Sequence, residues 1–375
     1  MTDAAVARRR NLNGDVAYGN MSVRTETPPT IKISGRTIGS GQRPYIVAEL
    51  SANHGGSLAR AMAVLEAAKN AGADAIKLQT YTADTITIDH DGPEFRIHGG
   101  LWDGRRLYEL YQEAHTPWDW HAALFAKGRE LGVPVFSTPF DGSAVDFLEG
   151  FDPPAYKIAS FEMIDLPLVR RVAATGKPVI MSTGMASVEE IRESVEAFRA
   201  AGGHSLVLLH CVSAYPAPVE QSNLRRIPEL ASEFGCPIGL SDHTLGVEVA
   251  IASVALGACL IEKHFTLRRT DGGPDSVFSL EPDELRALVH GANAAFAALG
   301  TGAPARAEVE KENMVFRRSI YVVRDISAGE PFTAENVRII RPGYGLAPRE
   351  LPKVLGRKAR RALTRGTALA WDAVE

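Results

Sequence analysis

The sequence has few cysteines, little net charge and no long hydrophobic run. Only three of its 375 residues are cysteines, without metal-ligand spacing, so we expect reduced thiols in a core rather than a disulfide framework. The 41 basic and 45 acidic residues leave a formal charge of −4, so local basic groups must bind any acidic metabolite, and nucleic acid is not an expected partner. No segment approaches the roughly 20 apolar residues of a membrane span. We therefore expect a cytoplasmic protein without a membrane partner.

The chain is long enough for one large domain and one small domain. Residues 1–30 are polar and aperiodic, which predicts a flexible tail. The Gly-rich stretch GTGAPA begins at residue 300 and predicts a linker over residues 300–314. Residues 315–375 contain short strand-like segments separated by turn residues, which is typical of a separate small β-rich domain.

Eight short apolar segments with helical patterns between them dominate residues 31–299. They are YIVAEL (45–50), DAIKLQT (74–80), VPVFST (133–138), AYKIAS (155–160), PVIMST (178–183), SLVLLH (205–210), CPIGLS (236–241) and ACLIEKH (258–264). Ser57 is a predicted N-cap, and Ser187 with Glu190 forms a predicted capping box. Eight such units favour a parallel (β/α)₈ TIM barrel. The first strand is followed by SANHGGS rather than GxGxxG, which disfavours an open dinucleotide-binding sheet.

Two histidines close neighbouring predicted strands, His243 in SDH and His264 in EKH. The carboxyl ends of barrel strands meet at one face, where barrel enzymes keep their active sites. A single histidine at a strand end is more often a hydrogen-bonding residue. The matched pair, with Glu262, Asp242 and Lys263 beside it, predicts a divalent metal site facing an anionic substrate.

Two lysines, Lys77 and Lys157, lie inside otherwise apolar predicted strands. A buried lysine needs either an ionic partner or a function. Together with the serines and threonines at the strand ends, these lysines predict a cradle for phosphate or carboxylate. A Schiff-base role for either lysine stays open, because spacing alone does not exclude it.

The motifs VAELSANHGGS, AIKLQTY, FSTPF, YKIAS, STGM, YPAP, GLSDHTLG and IEKHFT follow one another along the chain. In this order they resemble the sialic acid synthase family, which condenses phosphoenolpyruvate with amino sugars. The C-terminal residues resemble the antifreeze-like (SAF) domain of that family, so the resemblance covers about residues 31–375. Within the family, GGLWDGRRLYELY at 99–111 most resembles the pseudaminic acid synthases, and Ser213 stands where sialate-forming members usually carry Asn.

The resemblance implies roles for the strand-end residues. It implies phosphoenolpyruvate contacts at Lys77, Thr138, Lys157, Ser160, Ser182 and Ser241, sugar contacts at Gln79, Tyr215, Asp275 and Arg341, and catalytic roles for Glu49, Glu162 and Glu262. It also implies that His243 and His264 bind Mn²⁺, with Mg²⁺ or Co²⁺ as alternatives, and that this metal activates the sugar aldehyde. Either Glu49 or Glu162 would steer water, and Glu262 would act as a base or as an orienter of the metal site.

The reaction implied by the resemblance joins C3 of phosphoenolpyruvate to the aldehyde of 2,4-diacetamido-2,4,6-trideoxy-L-altrose. Water then adds at C2 and phosphate leaves, which gives pseudaminic acid. Legionaminic acid and N-acetylneuraminic acid are alternative products of the same mechanism. Because family members are domain-swapped homodimers, the resemblance further implies that Arg341 reaches the partner's barrel.

Two other functions remain open at this point. One is a Schiff-base aldolase built on Lys77 or Lys157. The other is a non-enzymatic carbohydrate-binding or surface-binding module, as the antifreeze-like name suggests. The basic run at 353–361 lacks interleaved aromatic residues, so it favours a solvated face over nucleic-acid binding.

Overall fold

The computed structural model describes residues 29–303 and 306–375. They form two compact units, one ending at Gly300 and the other beginning at Thr301. The predicted flexible tail lies outside the described residues except for its last two positions, and so do residues 304 and 305 of the predicted linker.

The larger unit alternates strands and helices along the chain. Its strands are β1 (Thr30–Ile33), β2 (Arg36–Gly39), β3 (Tyr45–Glu49), β4 (Ala75–Thr80), β5 (Val135–Pro139), β6 (Tyr156–Ile158), β7 (Val179–Ser182), β8 (Leu206–Cys211), β9 (Ile238–Asp242) and β10 (Leu260–His264). Its helices are α1 (Leu58–Asn70), α2 (Ala83–Ile86), α3 (Leu107–Ala114), α4 (His121–Leu131), α5 (Gly142–Glu149), α6 (Leu166–Ala173), α7 (Val188–Ala200), α8 (Arg226–Phe234), α9 (Glu248–Ala255) and α10 (Pro282–Leu299).

Strands β3 to β10 form a closed barrel in which each strand is parallel to its neighbours. Pairing of β10 with β3 closes the barrel and sets His264 opposite Glu49. On the other side of β10, Glu262 lies opposite Ser241 of β9. The predicted (β/α)₈ TIM barrel is confirmed, and its register brings the strand-end polar residues to one face.

The barrel strands alternate between two apolar clusters, as the period of two in a strand requires. Outward-facing residues such as Ile46, Ile76 and Leu208 pack with the helices in the larger cluster. Inward-facing residues pack together with Ile31, Ile33 and Ile38 of the antiparallel β1–β2 hairpin, in a smaller cluster that includes Tyr45, Val47, Phe136, Val207 and Leu260. These inward-facing residues lie near the starts of their strands, so apolar side chains fill the amino-terminal end of the barrel. The inward-facing polar residues lie at the carboxyl-terminal end.

The predicted helix starts are confirmed. The Ser57 side chain accepts a hydrogen bond from the backbone N–H of Arg60 at 3.3 Å. Ser187 and Glu190 form a reciprocal capping box at the start of α7. Both devices satisfy backbone N–H groups that the first turn of a helix leaves unpaired.

The smaller unit is built on the antiparallel pair β11 (Ser319–Val322) and β12 (Val337–Ile340), with the short helix α11 (Leu351–Val354). Its core is apolar and includes Ile320, Phe332, Val337, Leu363 and Leu369. In the basic run, Lys353 pairs with Glu350 at 2.9 Å and Arg361 pairs with Asp372 at 3.2 Å. These exposed pairs are typical of a solvated surface.

No helix in the described parts of the chain, residues 29–303 and 306–375, is both long enough and apolar enough to cross a membrane.

Candidate active site

Two lysines and two glutamates form an ionic cluster inside the barrel. Lys77 Nζ lies 2.7 Å from Glu49 Oε2 and 3.1 Å from Glu262 Oε1. Lys157 Nζ donates to both carboxylate oxygens of Glu262, at 2.8 and 2.9 Å. All four side chains are buried. The cluster therefore places two positive and two negative groups in a space that water hardly enters.

The protonation of the cluster follows from burial and mutual charge. Burial raises the pKa of Glu49, and repulsion from Glu262 adds to this despite the attraction of Lys77. Burial would also raise the pKa of Glu262, but Lys157 and Lys77 outweigh it and hold that pKa below its usual value. Glu262 is thus the firmly ionised member, and Glu49 is the member that accepts a proton more readily.

The ammonium groups of both lysines are engaged by carboxylates. Burial would lower the pKa of Lys77, yet Glu262 and Glu49 raise it above its usual value. A lysine that forms a Schiff base attacks as a free neutral amine. The pairing of Lys77 therefore suits the binding of an anion better than nucleophilic attack. Lys157 differs, because burial lowers its pKa although its partner Glu262 opposes this.

Hydroxyl groups surround the ionic cluster. Lys77 Nζ donates to Thr138 Oγ1 at 3.3 Å, and Ser241 Oγ donates to Glu262 Oε1 at 3.5 Å. Ser182 Oγ is buried and has no hydrogen-bond partner in the described part of the chain. A buried hydroxyl without a partner costs free energy, so Ser182 is suited to a ligand that would complete its hydrogen bonding.

Gly184 brings the loop after β7 close to two other strand ends. Its backbone N–H donates to Ser160 Oγ at 3.1 Å. A Cβ atom at this position would lie 2.2 Å from Ser213 Oγ and 2.7 Å from Ser160 Oγ. Only glycine leaves room for this approach, which sets Ser160 beside the STGM loop.

His243 and His264 face each other at the carboxyl ends of β9 and β10, with ring centroids 5.5 Å apart. His243 Nδ1 lies 3.1 Å from the carbonyl oxygen of Val212. A carbonyl only accepts, so this nitrogen carries a proton, and Nε2 has a free lone pair when the ring is neutral. Burial would lower the pKa of His243, but contact with Cys211 and with the Val212 carbonyl raises it. Burial, helped by the charge of His243, lowers the pKa of His264 well below its usual value. His264 Nδ1 is buried without a hydrogen-bond partner in the described residues.

A metal ligand must be a neutral imidazole with a free lone pair. His264 meets this condition already, and His243 meets it once Nε2 is deprotonated, so the pair fits a divalent metal. A carbonyl bonded to the other ring nitrogen is the usual orienting partner of such a ligand. Within residues 29–303 and 306–375, no three or more His, Cys, Asp or Glu side chains are gathered as a metal-binding group. The protein thus offers a two-histidine set, which leaves positions for substrate and water as catalytic sites do.

Asp242 and Lys263 do not lie with the histidines, contrary to the sequence-based expectation. Lys263 Nζ donates to Asp242 Oδ2 at 2.7 Å and to the carbonyl oxygen of Thr244 at 2.6 Å. Each residue is one position away from an inward-facing neighbour, so strand alternation turns both side chains away from the barrel interior. The buried pair instead fixes the loop that carries His243.

Two of the residues assigned to the sugar, Tyr215 and Asp275, lie beside the histidine pair. The Tyr215 ring lies 4.4 Å from the His243 ring. Asp275 is buried, accepts a 2.5 Å hydrogen bond from Ser51 Oγ, and has Oδ2 3.7 Å from His264 Nδ1. Gln79 is half-buried and lies two residues beyond Lys77 on β4.

Arg341 belongs to the smaller unit, where it is exposed. It follows the last residue of β12 and precedes Pro342.

Glu162 lies in the turn after β6 and has one carboxylate oxygen, Oε2, buried without a hydrogen-bond partner in the described chain. Burial raises the pKa of Glu162 to about 7, and Asp165 adds to this while Lys77 opposes it. A carboxylate that titrates near neutrality is a candidate for proton transfer.

One further residue of the site was not assigned from the sequence. Cys211 Sγ lies 3.9 Å from His243 Nδ1 and 3.8 Å from Ser213 Oγ. Burial would raise the pKa of this thiol, but contact with His243 lowers it to about 7. Strand alternation could have identified this residue from the sequence, because Cys211 follows the inward-facing Leu209 by two residues at the end of β8.

Comparisons with known proteins identify relatives of both units. The NeuB family model matches residues 64–304, and the SAF domain model matches residues 317–375. The pseudaminic acid synthase of Campylobacter jejuni serotype O:2 is 47% identical over 328 residues, which cover 88% of this chain and 96% of that protein. The pseudaminic acid synthase of Helicobacter pylori is 42% identical over 335 residues, covering 89% of this chain and 98% of that protein.

A similar solved structure is the N-acetylneuraminic acid (sialic acid) synthetase of Leptospira borgpetersenii in complex with citrate. It is 32% identical, with a TM-score of 0.69, and the match covers 76% of this chain and 95% of that chain.

Proposed function

The chain belongs to the NeuB family, and we propose that it is a pseudaminic acid synthase. The enzyme condenses phosphoenolpyruvate, 2,4-diacetamido-2,4,6-trideoxy-L-altrose and water to pseudaminic acid and phosphate. The observation that carries the proposal is the buried cluster of Glu49, Lys77, Glu262 and Lys157. Its member Glu262 lies on β10, two residues before His264. This arrangement offers an anion site and a carbonyl-activating site next to each other.

Phosphoenolpyruvate occupies the anion site. Its phosphate and carboxylate are met by Lys77, Thr138, Lys157, Ser160, Ser182 and Ser241. In the free protein the lysines are neutralised by Glu49 and Glu262. The incoming anion replaces part of that pairing, and Glu49, whose pKa is raised by burial, can take up a proton as the charge arrives.

His243 and His264 would hold the divalent metal, with Mn²⁺ expected in preference to Mg²⁺ or Co²⁺, and a metal bound there would supply Lewis-acid polarisation of the sugar aldehyde. Gln79, Tyr215 and Asp275 orient the open-chain sugar so that its aldehyde carbon faces C3 of phosphoenolpyruvate. Because the two reacting carbons are held close and aligned, the reaction step no longer includes the entropy cost of bringing them together.

Once the carbon–carbon bond has formed, C2 of the former phosphoenolpyruvate is electrophilic and takes up water. Glu162 accepts a proton from that water, because its pKa of about 7 makes it an effective base near neutrality. The carbon–oxygen bond to phosphate then breaks, the C2 hydroxyl gives its proton to the departing phosphate, and the 2-keto acid is left. The proton taken up by Glu162 balances the one that the former aldehyde oxygen gains as it becomes a hydroxyl. Glu262 stays ionised between the two lysines and orients them.

The proposal extends to the assembly. Residues 31–299 are the barrel domain, residues 300–314 the linker and residues 315–375 the SAF domain of a domain-swapped homodimer. Arg341 of one protomer binds the N-acetyl group of the sugar in the partner's barrel, since a guanidinium donates well to an amide oxygen.

The test is a phosphate-release assay on the purified full-length protein. Phosphoenolpyruvate is supplied with Mn²⁺ and each of three sugars: the L-altro diacetamido sugar, the manno-configured diacetamido sugar that leads to legionaminic acid, and N-acetylmannosamine. We expect release that needs both sugar and metal, with the L-altro sugar fastest. Absence of release with all three sugars would refute the proposal. Metal-independent turnover with inactivation by borohydride would favour the Schiff-base aldolase instead.

A further inference from the structure

Residues 96–106, which we call the clasp, form a tight hairpin in the connection between β4 and β5. Arg96 and Arg106 face each other as an antiparallel bridge. Inside the hairpin, Ile97 N–H donates to the carbonyl of Arg105 and Gly104 N–H donates to the carbonyl of Ile97, both at 2.9 Å. The clasp therefore keeps its own backbone structure without hydrogen bonds from a neighbouring sheet.

The base of the clasp is held by exposed ion pairs. Arg106 contacts Asp89, Asp91 and Glu109 at 2.8, 3.0 and 2.7 Å. Each of these carboxylates is more than half exposed, so solvent and salt screen the pairs and each contributes little stability. These pairs join the base of the clasp to the preceding loop and to α3, and the tip has a separate contact.

At the tip of the clasp, the Trp102 side chain contacts two other loops. Trp102 Nε1–H donates to the carbonyl of Pro274 at 3.0 Å, 172 residues away in the loop after β10. The Trp102 ring also lies 5.6 Å from the Tyr215 ring. Tyr215 in turn lies 4.4 Å from His243, and Asp275 follows Pro274 directly. Trp102 thus joins the β4–β5 connection to the two loops that carry proposed sugar-binding residues.

We propose that Trp102 is a positioning residue for the acceptor sugar, and that it acts by closing the clasp across the barrel mouth. Closure fixes the Tyr215 ring and the Pro274–Asp275 backbone in the orientation that the sugar requires. The proposal rests on the proposed function for the identity of the sugar. The phosphoenolpyruvate residues are buried in the strands, and the contacts of Trp102 do not include them. Loss of closure should therefore weaken sugar binding and leave phosphoenolpyruvate binding unchanged.

The kinetic test compares Trp102→Phe, which keeps an aromatic ring and loses the indole N–H, with Trp102→Ala, which loses both. Trp118→Phe is the matched control, because Trp118 Nε1–H also donates to a main-chain carbonyl, that of Tyr81 at 3.2 Å, outside the clasp. We expect KM for the sugar to rise about fivefold in Trp102→Phe, as for one lost hydrogen bond. It should rise by more than about tenfold in Trp102→Ala, while KM for phosphoenolpyruvate stays within about twofold in every variant.

A second test needs no substrate. Hydrogen–deuterium exchange of the free proteins should be faster in Trp102→Ala than in wild type both in residues 96–106 and in residues 270–276, and unchanged in Trp118→Phe. Unchanged exchange in both segments of Trp102→Ala would overturn the proposal. So would an equal rise in KM for phosphoenolpyruvate and sugar, which is the mark of a general structural defect. Wild-type protein that turns over no acetamido sugar would refute the proposed function, whereas the exchange result still decides whether the clasp closes.

Discussion

Glu262 accepts a hydrogen bond from Lys157 on each of its carboxylate oxygens, at 2.8 and 2.9 Å, in the interior of the barrel. The same carboxylate is 3.1 Å from Lys77. One glutamate therefore contacts two lysines, and the positive charge required for an anionic substrate is kept in place before the substrate arrives. His264 lies on the same face of β10, two residues nearer the mouth.

Removing the charge of Glu262 should destabilise the larger unit strongly. Glu262→Gln leaves two buried ammonium groups with only Glu49 for compensation, and breaking a buried ion pair costs about 3–5 kcal/mol. We expect a loss of at least about 3 kcal/mol in the free energy of unfolding of the barrel, measured by urea denaturation. The double variant Lys157→Met/Glu262→Met should lose less than the sum of its single variants, because the two side chains interact directly. Strict additivity would contradict the inferred pairing.

Replacing either histidine of the pair should weaken metal binding severely, with little effect on stability. His243→Ala and His264→Ala each remove one of two proposed protein ligands, and strand-end loops contribute little to the core. Isothermal titration with Mn²⁺ should show at least a tenfold loss of affinity in each variant, and chelator should inactivate the wild-type enzyme until metal is restored.

The matched control for the histidine variants is His210→Asn. His210 is also a buried strand-end histidine, but its Nε2 bonds the carbonyl of Ser222 at 2.7 Å, and it lies on the outward face of β8. Its replacement should leave Mn²⁺ affinity unchanged. Equal loss in the control, or full turnover of either His→Ala variant in the presence of chelator, would contradict the metal assignment.

The fold followed from the sequence because each apolar segment was short and ended in polar residues. Strand alternation then decides which of those residues share the interior, as it does for Glu262 and His264. The same rule separates Asp242 and Lys263 from them, and neglecting it produced the wrong expectation that all five charged or imidazole groups meet. For both pairs of residues, their positions along the strands were enough to predict whether the side chains face the barrel interior.

Other features depend on contacts that no local pattern carries. The hydrogen bond from Trp102 to Pro274 spans 172 residues, and nothing in the spacing of GGLWDGRRLYELY indicates its partner. The pairing of Lys77 with both Glu49 and Glu262 likewise requires three strands to be brought together in one register. Such contacts depend on the tertiary fold, including closure of the barrel, rather than on the secondary-structure propensity of local segments.

Glu162→Gln should remove a pH dependence centred near neutrality. The pKa of Glu162 is raised from 4.5 to about 7, so the folded protein binds this proton more tightly than the unfolded chain. The associated stability is complete below pH ~4.5 and is lost as pH rises through about 7, by roughly 1.4 kcal/mol for each pH unit that separates the two pKa values. Between these limits, wild-type stability should fall relative to Glu162→Gln as pH increases, which urea denaturation at a series of pH values would measure.

The same substitution separates the catalytic role of Glu162 from the charges around it. As a base, Glu162 must be deprotonated, so kcat of the wild type should rise through pH ~7 and the variant should lose that inflection together with most of its activity. Asp165 and Lys77 also influence Glu162, and both remain in the variant. An unchanged inflection in Glu162→Gln would assign the titration to another group.

Arg341→Ala should weaken sugar binding without affecting stability. The side chain is exposed, so its removal leaves no buried group unpaired, and surface substitutions usually change stability by less than about 0.5 kcal/mol. Loss of a proposed guanidinium–amide hydrogen bond should raise KM for the sugar about tenfold. Arg338→Ala is the matched control, since Arg338 is also exposed and lies three residues away on β12. Equal KM values in the two variants would exclude Arg341 from the site.

The substrate itself provides the last prediction. We expect kcat/KM to be highest for 2,4-diacetamido-2,4,6-trideoxy-L-altrose, lower for the manno-configured diacetamido sugar and lowest for N-acetylmannosamine. The relatives named pseudaminic acid synthase support this order, and so does Ser213 in place of the Asn that sialate-forming members usually carry.

The three sugars test which substrate group controls selectivity. An apolar pocket rejects one extra hydroxyl by only about 10²-fold, whereas a site that hydrogen-bonds an amide rejects a substrate lacking it far more strongly. N-acetylmannosamine differs from the preferred sugar in both respects, since it carries a 6-hydroxyl and lacks the 4-acetamido group. The 4-acetamido group should therefore account for most of the discrimination, measured as kcat/KM for the three sugars side by side. A preference for N-acetylmannosamine would overturn the assignment of the sugar, while the condensation mechanism, which depends on the lysine–glutamate cluster and the histidine pair, would still stand.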